Sequence, residues 1–177
     1  LLARLHTWFG ADAVPPGFAD PLVRFLDHEL DQVGADGLVE GVLGDYLAPG
    51  SVGTPPQDDL RIASSCYLVR GLAQAADLLE DDRSRAADVT RFREAAQTMT
   101  RAINDTFLDE SAGFYKGSGD RGYRQTHNVL AVAFGLTPDA ETEQGVVDSI
   151  AADVRAKGVH LNTGVLGTKY LLPVLTD

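Results

Sequence analysis

Gly158-Val159-His160-Leu161-Asn162-Thr163-Gly164-Val165-Leu166-Gly167-Thr168-Lys169-Tyr170-Leu171-Leu172-Pro173-Val174-Leu175 sets polar, glycine-rich backbone directly before an apolar run. The stretch reads as a loop feeding an inward-facing helix. Gly158 can close the preceding helix in a left-handed conformation, and Gly164 and Gly167, lacking a Cβ, let backbone or a ligand come close to the turn. His160, Asn162 and Thr163 then fall where the rim of a pocket would lie. The competing reading is a purely structural loop in which Thr163 caps the helix.

Upstream of this stretch, helical patterns of two kinds follow one another. Thr137-Pro138 reads as an N-cap and first-turn proline, with Asp139, Glu141 and Glu143 complementing the helix dipole and Val146, Val147, Ile150 and Val154 forming a single apolar face. Before it, Thr126 starts a short apolar helix that stops at Gly135. Residues 84–107 carry Val89, Phe92, Ala96, Met99 and Ile103 on one stripe and charges elsewhere, the mark of an outer helix. From Asp58 or Asp59 to Leu79 the helix is apolar over most of its circumference and rich in small residues, which belongs to an inner layer. Cys66 falls on it as a small packing residue, a poor place for a nucleophile.

Asp20-Pro21 predicts an N-cap and first turn for a helix through Val33, with His28 outward, and residues 1–9 predict a short helix stopped by Gly10. Residues 109–123 read as a hairpin or irregular loop. Inner and outer helices therefore alternate without a strand series. This predicts an all-α fold, part of an α/α toroid of inner and outer helices, over a four-helix bundle or an α-solenoid.

The connection 34–57 is long and rich in glycine and proline, and connections of that kind are often functional. Within it, Gly44-Asp45-Tyr46-Leu47 sets a carboxylate beside an aromatic ring. That pair suits a sugar, whose C–H face stacks on the ring while the carboxylate accepts hydrogen bonds from hydroxyls. The plainer alternative makes Asp45 a turn cap and Tyr46 a core residue.

Composition narrows the function without choosing it. A chain of 177 residues suits one domain or a piece of one, residues 1–177. A net charge of −11 argues against nucleic acid as a partner and permits a neutral ligand. No apolar run is long enough to span a membrane. His6, His28, His127 and His160 are isolated, and with no His-x-His, His-Glu-x-x-His or cysteine cluster neither a metal site nor a cofactor is expected. The start at Leu1 and the stop at Asp177 predict a piece cut at both ends.

Taken together and in order, Gly44-Asp45-Tyr46-Leu47-Ala48-Pro49, Gln125-Thr126-His127-Asn128-Val129-Leu130-Ala131 and the His160 to Gly164 loop resemble the middle of the catalytic domain of bacterial α-L-rhamnosidases, glycoside hydrolase family 78. The resemblance runs from about Pro21 to Asp177. It implies a six-hairpin toroid, inverting hydrolysis, a rhamnose-containing glycoside as partner, and a general-acid Glu and general-base Glu in flanking segments outside this chain. No catalytic residue is therefore expected here. Asp45, Tyr46, His160 and Thr163 are the substrate-binding candidates it leaves. Tyr46 stands where the family usually has Trp, and Asn162 where Thr is frequent.

Glycoside hydrolysis needs two facing carboxyl groups, about 6.5–9.5 Å apart for inversion. Asp45, Asp58, Asp59, Asp109 and Asp120 are the loop carboxylates, and sequence pairs no two of them. The alternative functions are a non-catalytic helical carbohydrate-binding or interaction module, or a toroid enzyme of other specificity such as a glucuronyl hydrolase or a lyase.

Overall fold

The computed structural model describes residues 2–10, 14–42, 44–50 and 58–176. Seven α-helices lie among them: α1 (Leu2–Phe9), α2 (Ala19–Leu30), α3 (Leu60–Leu79), α4 (Ala86–Phe107), α5 (Gln125–Ala133), α6 (Ala140–Ala156) and α7 (Thr168–Thr176). Between α4 and α5, β1 (Leu108–Asp109) and β2 (Phe114–Tyr115) pair antiparallel, resolving the expected hairpin as a very short one.

The two helix types separate as their faces require. Helix α3 buries Ile62, Ala63, Cys66, Leu68, Val69, Leu72, Ala75, Ala76 and Leu79, a face too wide for one neighbour. It packs against α1, α2, α4 and α5. Helix α4 buries only Val89, Phe92, Ala96, Met99, Ile103 and Phe107, a stripe of helical period laid along α3. Burying each large side chain of that stripe contributes about 1.5–3 kcal/mol. Helix α6 stands outside α5 in the same way, with Val146 and Ile150 buried. Side by side, α1, α3, α5 and α7 make the inner row, with α2, α4 and α6 outside, which is part of an α/α toroid.

Helix ends mostly follow local chemistry. Asp59 caps α3, its carboxylate accepting from the Arg61 amide. Gly158 closes α6 at φ +68°, and Val159 follows it into the left-handed region at φ +63°. Two expected caps are corrected. Helix α2 begins at Ala19, because the Phe18 carbonyl already accepts the Leu22 amide, and Asp20 instead pairs with Arg85. Helix α6 is capped by Asp139, which accepts from the Thr142 amide, while the Thr137 hydroxyl turns to Glu143.

Gly145 lies inside α6 with only the Gly113 carbonyl, 3.9 Å away, near the place of an added Cβ. Gly145→Ala is therefore expected to raise the unfolding free energy by about 0.5–1 kcal/mol, the helix-interior cost of glycine. Urea denaturation checks it, and a loss would mean that the α6 and Gly113 contact has no slack.

Candidate functional site

The N-termini of α3, α5 and α7 meet at one end of the inner row, and the Gly44 to Tyr46 loop is drawn down onto them. Asp45 makes that junction. The residue is 1% exposed; Oδ2 accepts from the Gly164 amide and the Thr126 hydroxyl, and Oδ1 accepts from the Leu166 amide at 3.1 Å. Arg124 Nη2 stands 3.7 Å from the same Oδ2. The Tyr46 carbonyl accepts the Val165 amide at 2.9 Å, so two neighbouring residues hold the turn before α7. Gly164 allows this approach: a Cβ there would lie 2.6 Å from the Asp45 carbonyl oxygen and closer still to that of Tyr46.

Thr163 is buried in the same turn, with its hydroxyl 2.8 Å from that of Thr168, which also bonds the Gly164 carbonyl at 2.7 Å. Tyr46 is half-buried beside a cleft of about 350 Å³ that it lines with Gly44, Ala63, Ser64, Tyr67, Val165 and Leu166. Leu47, next in the chain, is exposed at φ +62°, a conformation that costs a non-glycine residue energy and clusters at functional loops. Asp45, Tyr46 and Thr163 are thus brought together. His160 is not: it is exposed, and its Nδ1 donates to the Lys157 carbonyl at 2.9 Å, closing the end of α6.

Under this rim lies a charged cluster whose carboxylates, Asp58, Asp59 and Asp120, the sequence offered only as separate loop residues and did not pair with His127 or Arg124. His127, 1% exposed, sets Nδ1 3.2 Å from Asp120 Oδ2 and Nε2 3.6 Å from Asp58 Oδ2. Arg124 Nε lies 3.3 Å from Asp58 Oδ2, without hydrogen-bond alignment. Asp120 accepts the Asp59 amide at 3.0 Å and the Gly117 amide at 2.7 Å. Asp59 accepts from Arg61 and from the Ser118 hydroxyl, and these bonds, led by Arg61, bring its carboxyl down to about 2 despite burial. Gln125 and Asn162 bond reciprocally, the Gln125 amide to Asn162 Oδ1 at 3.0 Å and the Asn162 amide to Gln125 Oε1 at 2.8 Å. The one available signal was four successive polar residues, Gln125 to Asn128, opening an otherwise apolar helix, and all four are buried.

Burial alone would push the His127 imidazole below its ordinary value, but the carboxylates of Asp120 and Asp58 reverse this and hold it above. Burial likewise works to raise Asp120, and His127 together with two backbone amides brings it below the usual carboxylate range. His127, raised in the folded state, contributes stability that is complete below its unfolded value of about 6.5 and is lost as pH rises through the folded value. Asp120, lowered, contributes stability present above about 3.9 and lost as pH falls through its folded value. The wild type is expected to lose more stability than His127→Gln between weakly acidic and alkaline pH in paired denaturant titrations. Parallel profiles would mean that His127 keeps no extra proton affinity in the fold.

Among the described residues no group of three or more His, Cys, Asp or Glu is arranged to hold a metal ion. The arrangement can present backbone and an aromatic edge to a polar, uncharged ligand. Of its carboxylates, Asp45, Asp59 and Asp120 are bound by protein donors, and Asp58 sits between Arg124 and His127.

The model of the bacterial α-L-rhamnosidase six-hairpin glycosidase domain matches residues 20–177. The α-L-rhamnosidase of Streptomyces avermitilis is 34% identical over 170 residues, which are 94% of this chain and 14% of that protein. The α-L-rhamnosidase of Formosa agariphila is 26% identical over 179 residues, 97% of this chain and 18% of that protein. In solved structures, the Streptomyces avermitilis enzyme complexed with L-rhamnose superposes with a TM-score of 0.71 at 26% identity, over 94% of this chain and 14% of its own. The enzyme from Dictyoglumus thermophilum gives 0.73 at 25% identity, over 98% of this chain and 18% of its own. The chain thus spans between 14% and 18% of the length of these relatives.

Proposed function

The chain belongs to the bacterial α-L-rhamnosidase six-hairpin glycosidase family, and from that premise we propose that it forms scaffold and one wall of the sugar pocket in a glycoside hydrolase acting on terminal α-L-rhamnosides. The observation that carries the reading is the junction at Asp45, which packs the Gly44 to Leu47 turn against the loop before α7 and leaves Tyr46 at the rim of a cleft. In this reading Tyr46 stacks on the apolar face of the sugar. Asp45 acts through the loop it holds, as a positioning residue, and Thr163 and Thr168 fix the turn. His160 belongs to the outer rim.

Inversion requires one protonated carboxyl and one carboxylate with a water between them. Those groups come from residues outside these 177, since the carboxylates clustered here face cationic or amide groups of the protein itself. The 177-residue chain by itself is accordingly inactive.

Hydrolysis of 4-nitrophenyl α-L-rhamnopyranoside, followed by the anomeric form of the sugar released, tests the reading in the polypeptide that carries these residues with its remaining hairpins. Turnover with inversion is expected there, and none from residues 1–177 alone. A folded polypeptide with no rhamnoside turnover would sink it. Tyr46→Ala is expected to lower kcat/KM about tenfold, the loss of one aromatic contact and its burial; an unchanged value would remove Tyr46 from the pocket.

A further inference from the structure

Two cations converge on a cavity of about 270 Å³ between α1, α3 and α7, which shares Tyr67 with the cleft beside Tyr46. Arg70 projects from α3 and Lys169 from α7, with Tyr67, Gln74, Tyr170 and Ala3 around them. The Arg70 guanidinium lies 4.4 Å from the Phe134 ring centre and 5.0 Å from that of Tyr170, and Lys169 Nζ is 5.0 Å from the Tyr170 ring. Stacking of this kind fixes the guanidinium plane and leaves its N–H donors at the edge.

Among the described residues Arg61, Arg85, Arg91, Arg93, Arg124 and Lys157 all reach a carboxylate. Arg70 and Lys169 reach none, and the same holds for Arg24, Arg83, Arg101, Lys116, Arg121 and Arg155 among the described residues; what sets Arg70 and Lys169 apart is that they line one cavity together, in a chain with 26 acidic residues against 15 basic ones. Beside Lys169 on the same helix, Leu172 is 70% exposed. A half-buried, oriented cation next to uncovered apolar surface is the pattern of an interface with a charged anchor.

The inner row names what covers it. A six-hairpin domain has six inner helices, and α1, α3, α5 and α7 account for four. The remaining two must lie against α1 and α7, and both of those helices line this cavity. We propose that Arg70 and Lys169 receive an Asp or Glu side chain from the inner helices that complete the six hairpins, so that this cavity is the charged anchor by which the ring closes. The proposal rests on the reading of the chain as part of such a domain.

The test compares the 177-residue chain with the polypeptide that contains all six hairpins. Arg70→Met and Lys169→Met are expected to lower the melting temperature of the larger polypeptide by about 5 °C or more, since each would leave a buried carboxylate short of a partner. The same substitutions are expected to lower that of the shorter chain by less than half as much, since there only the stacking on Phe134 and Tyr170 is lost. Carbodiimide coupling is expected to join Lys169 to an acidic residue beyond residues 1–177, located by mass spectrometry. Equal shifts in both polypeptides, or none in either, would overturn the pairing even with rhamnoside turnover intact. Stabilisation of the shorter chain by millimolar acetate or glucuronate, without a differential shift in the larger polypeptide, would make the cavity a small-anion site and also overturn it. A differential shift in a polypeptide that does not hydrolyse rhamnosides would uphold the pairing and sink the functional reading alone.

Discussion

Asp45→Ala is expected to lower the unfolding free energy of the chain by about 3–5 kcal/mol, the cost of breaking a buried charged group's contacts from one side. The substitution would strand the Gly164 and Leu166 amides, the Thr126 hydroxyl and one face of Arg124, all of which now converge on the carboxylate of a residue that is 1% exposed. Asp45→Asn keeps the volume and one acceptor oxygen but sets an amide donor against donors, so an intermediate loss is expected. Urea unfolding followed by circular dichroism reads both, with the denaturant slope unchanged. A carboxylate whose role was to touch sugar would behave otherwise: with no ligand present its removal would be nearly neutral. A loss below about 1 kcal/mol, the scale of an ordinary hydrogen bond, would overturn the junction as described.

Gly164→Ala is the second large effect, expected to cost about 3 kcal/mol, at the upper end of ordinary overpacking. The added methyl would sit 2.6 Å from the Asp45 carbonyl oxygen and 2.8 Å from its Oδ1, and closer still to the Tyr46 carbonyl. These are backbone or tightly bonded atoms, so neither side can rotate away, and relief means parting the two loops. Gly119→Ala serves as the control, because its nearest neighbours would be 3.8 Å away and a change within about 0.5 kcal/mol is expected. In the larger polypeptide, Gly164→Ala should also reduce rhamnoside turnover more than its effect on melting implies. Equal stability of the two alanine variants would show that the close approach of the loops is not required.

The helical architecture was legible because its signals are local. The wide apolar face of α3, the single stripe of α4, the Asp59 cap and the left-handed Gly158 each rest on residues within a few turns of one another. The short strands and the shifted caps at Asp20 and Thr137 were settled by partners elsewhere, Arg85 and Glu143 among them. The site was legible as a set of loops, not as a set of contacts. Asp45 finds its partners 81, 119 and 121 positions away, and nothing in Gly44-Asp45-Tyr46 announces Thr126, Gly164 or Leu166. Arg124 and Asp58 likewise meet only through the fold. His160 lies within the motif but not with its neighbours, because the left-handed pair Gly158 and Val159 turns its ring back to the Lys157 carbonyl.

The span of the Asp45 junction also orders events in time. Helices α3 and α4 are consecutive and can find each other as a hairpin, whereas Asp45 and Gly164 must close a loop of 119 residues before either gains anything. The junction is then assembled after the helices that support it, and on a ribosome the tyrosine-bearing turn waits, exposed, until the turn before α7 has emerged. Damage at this junction would therefore speed unfolding and leave the rate of folding nearly untouched.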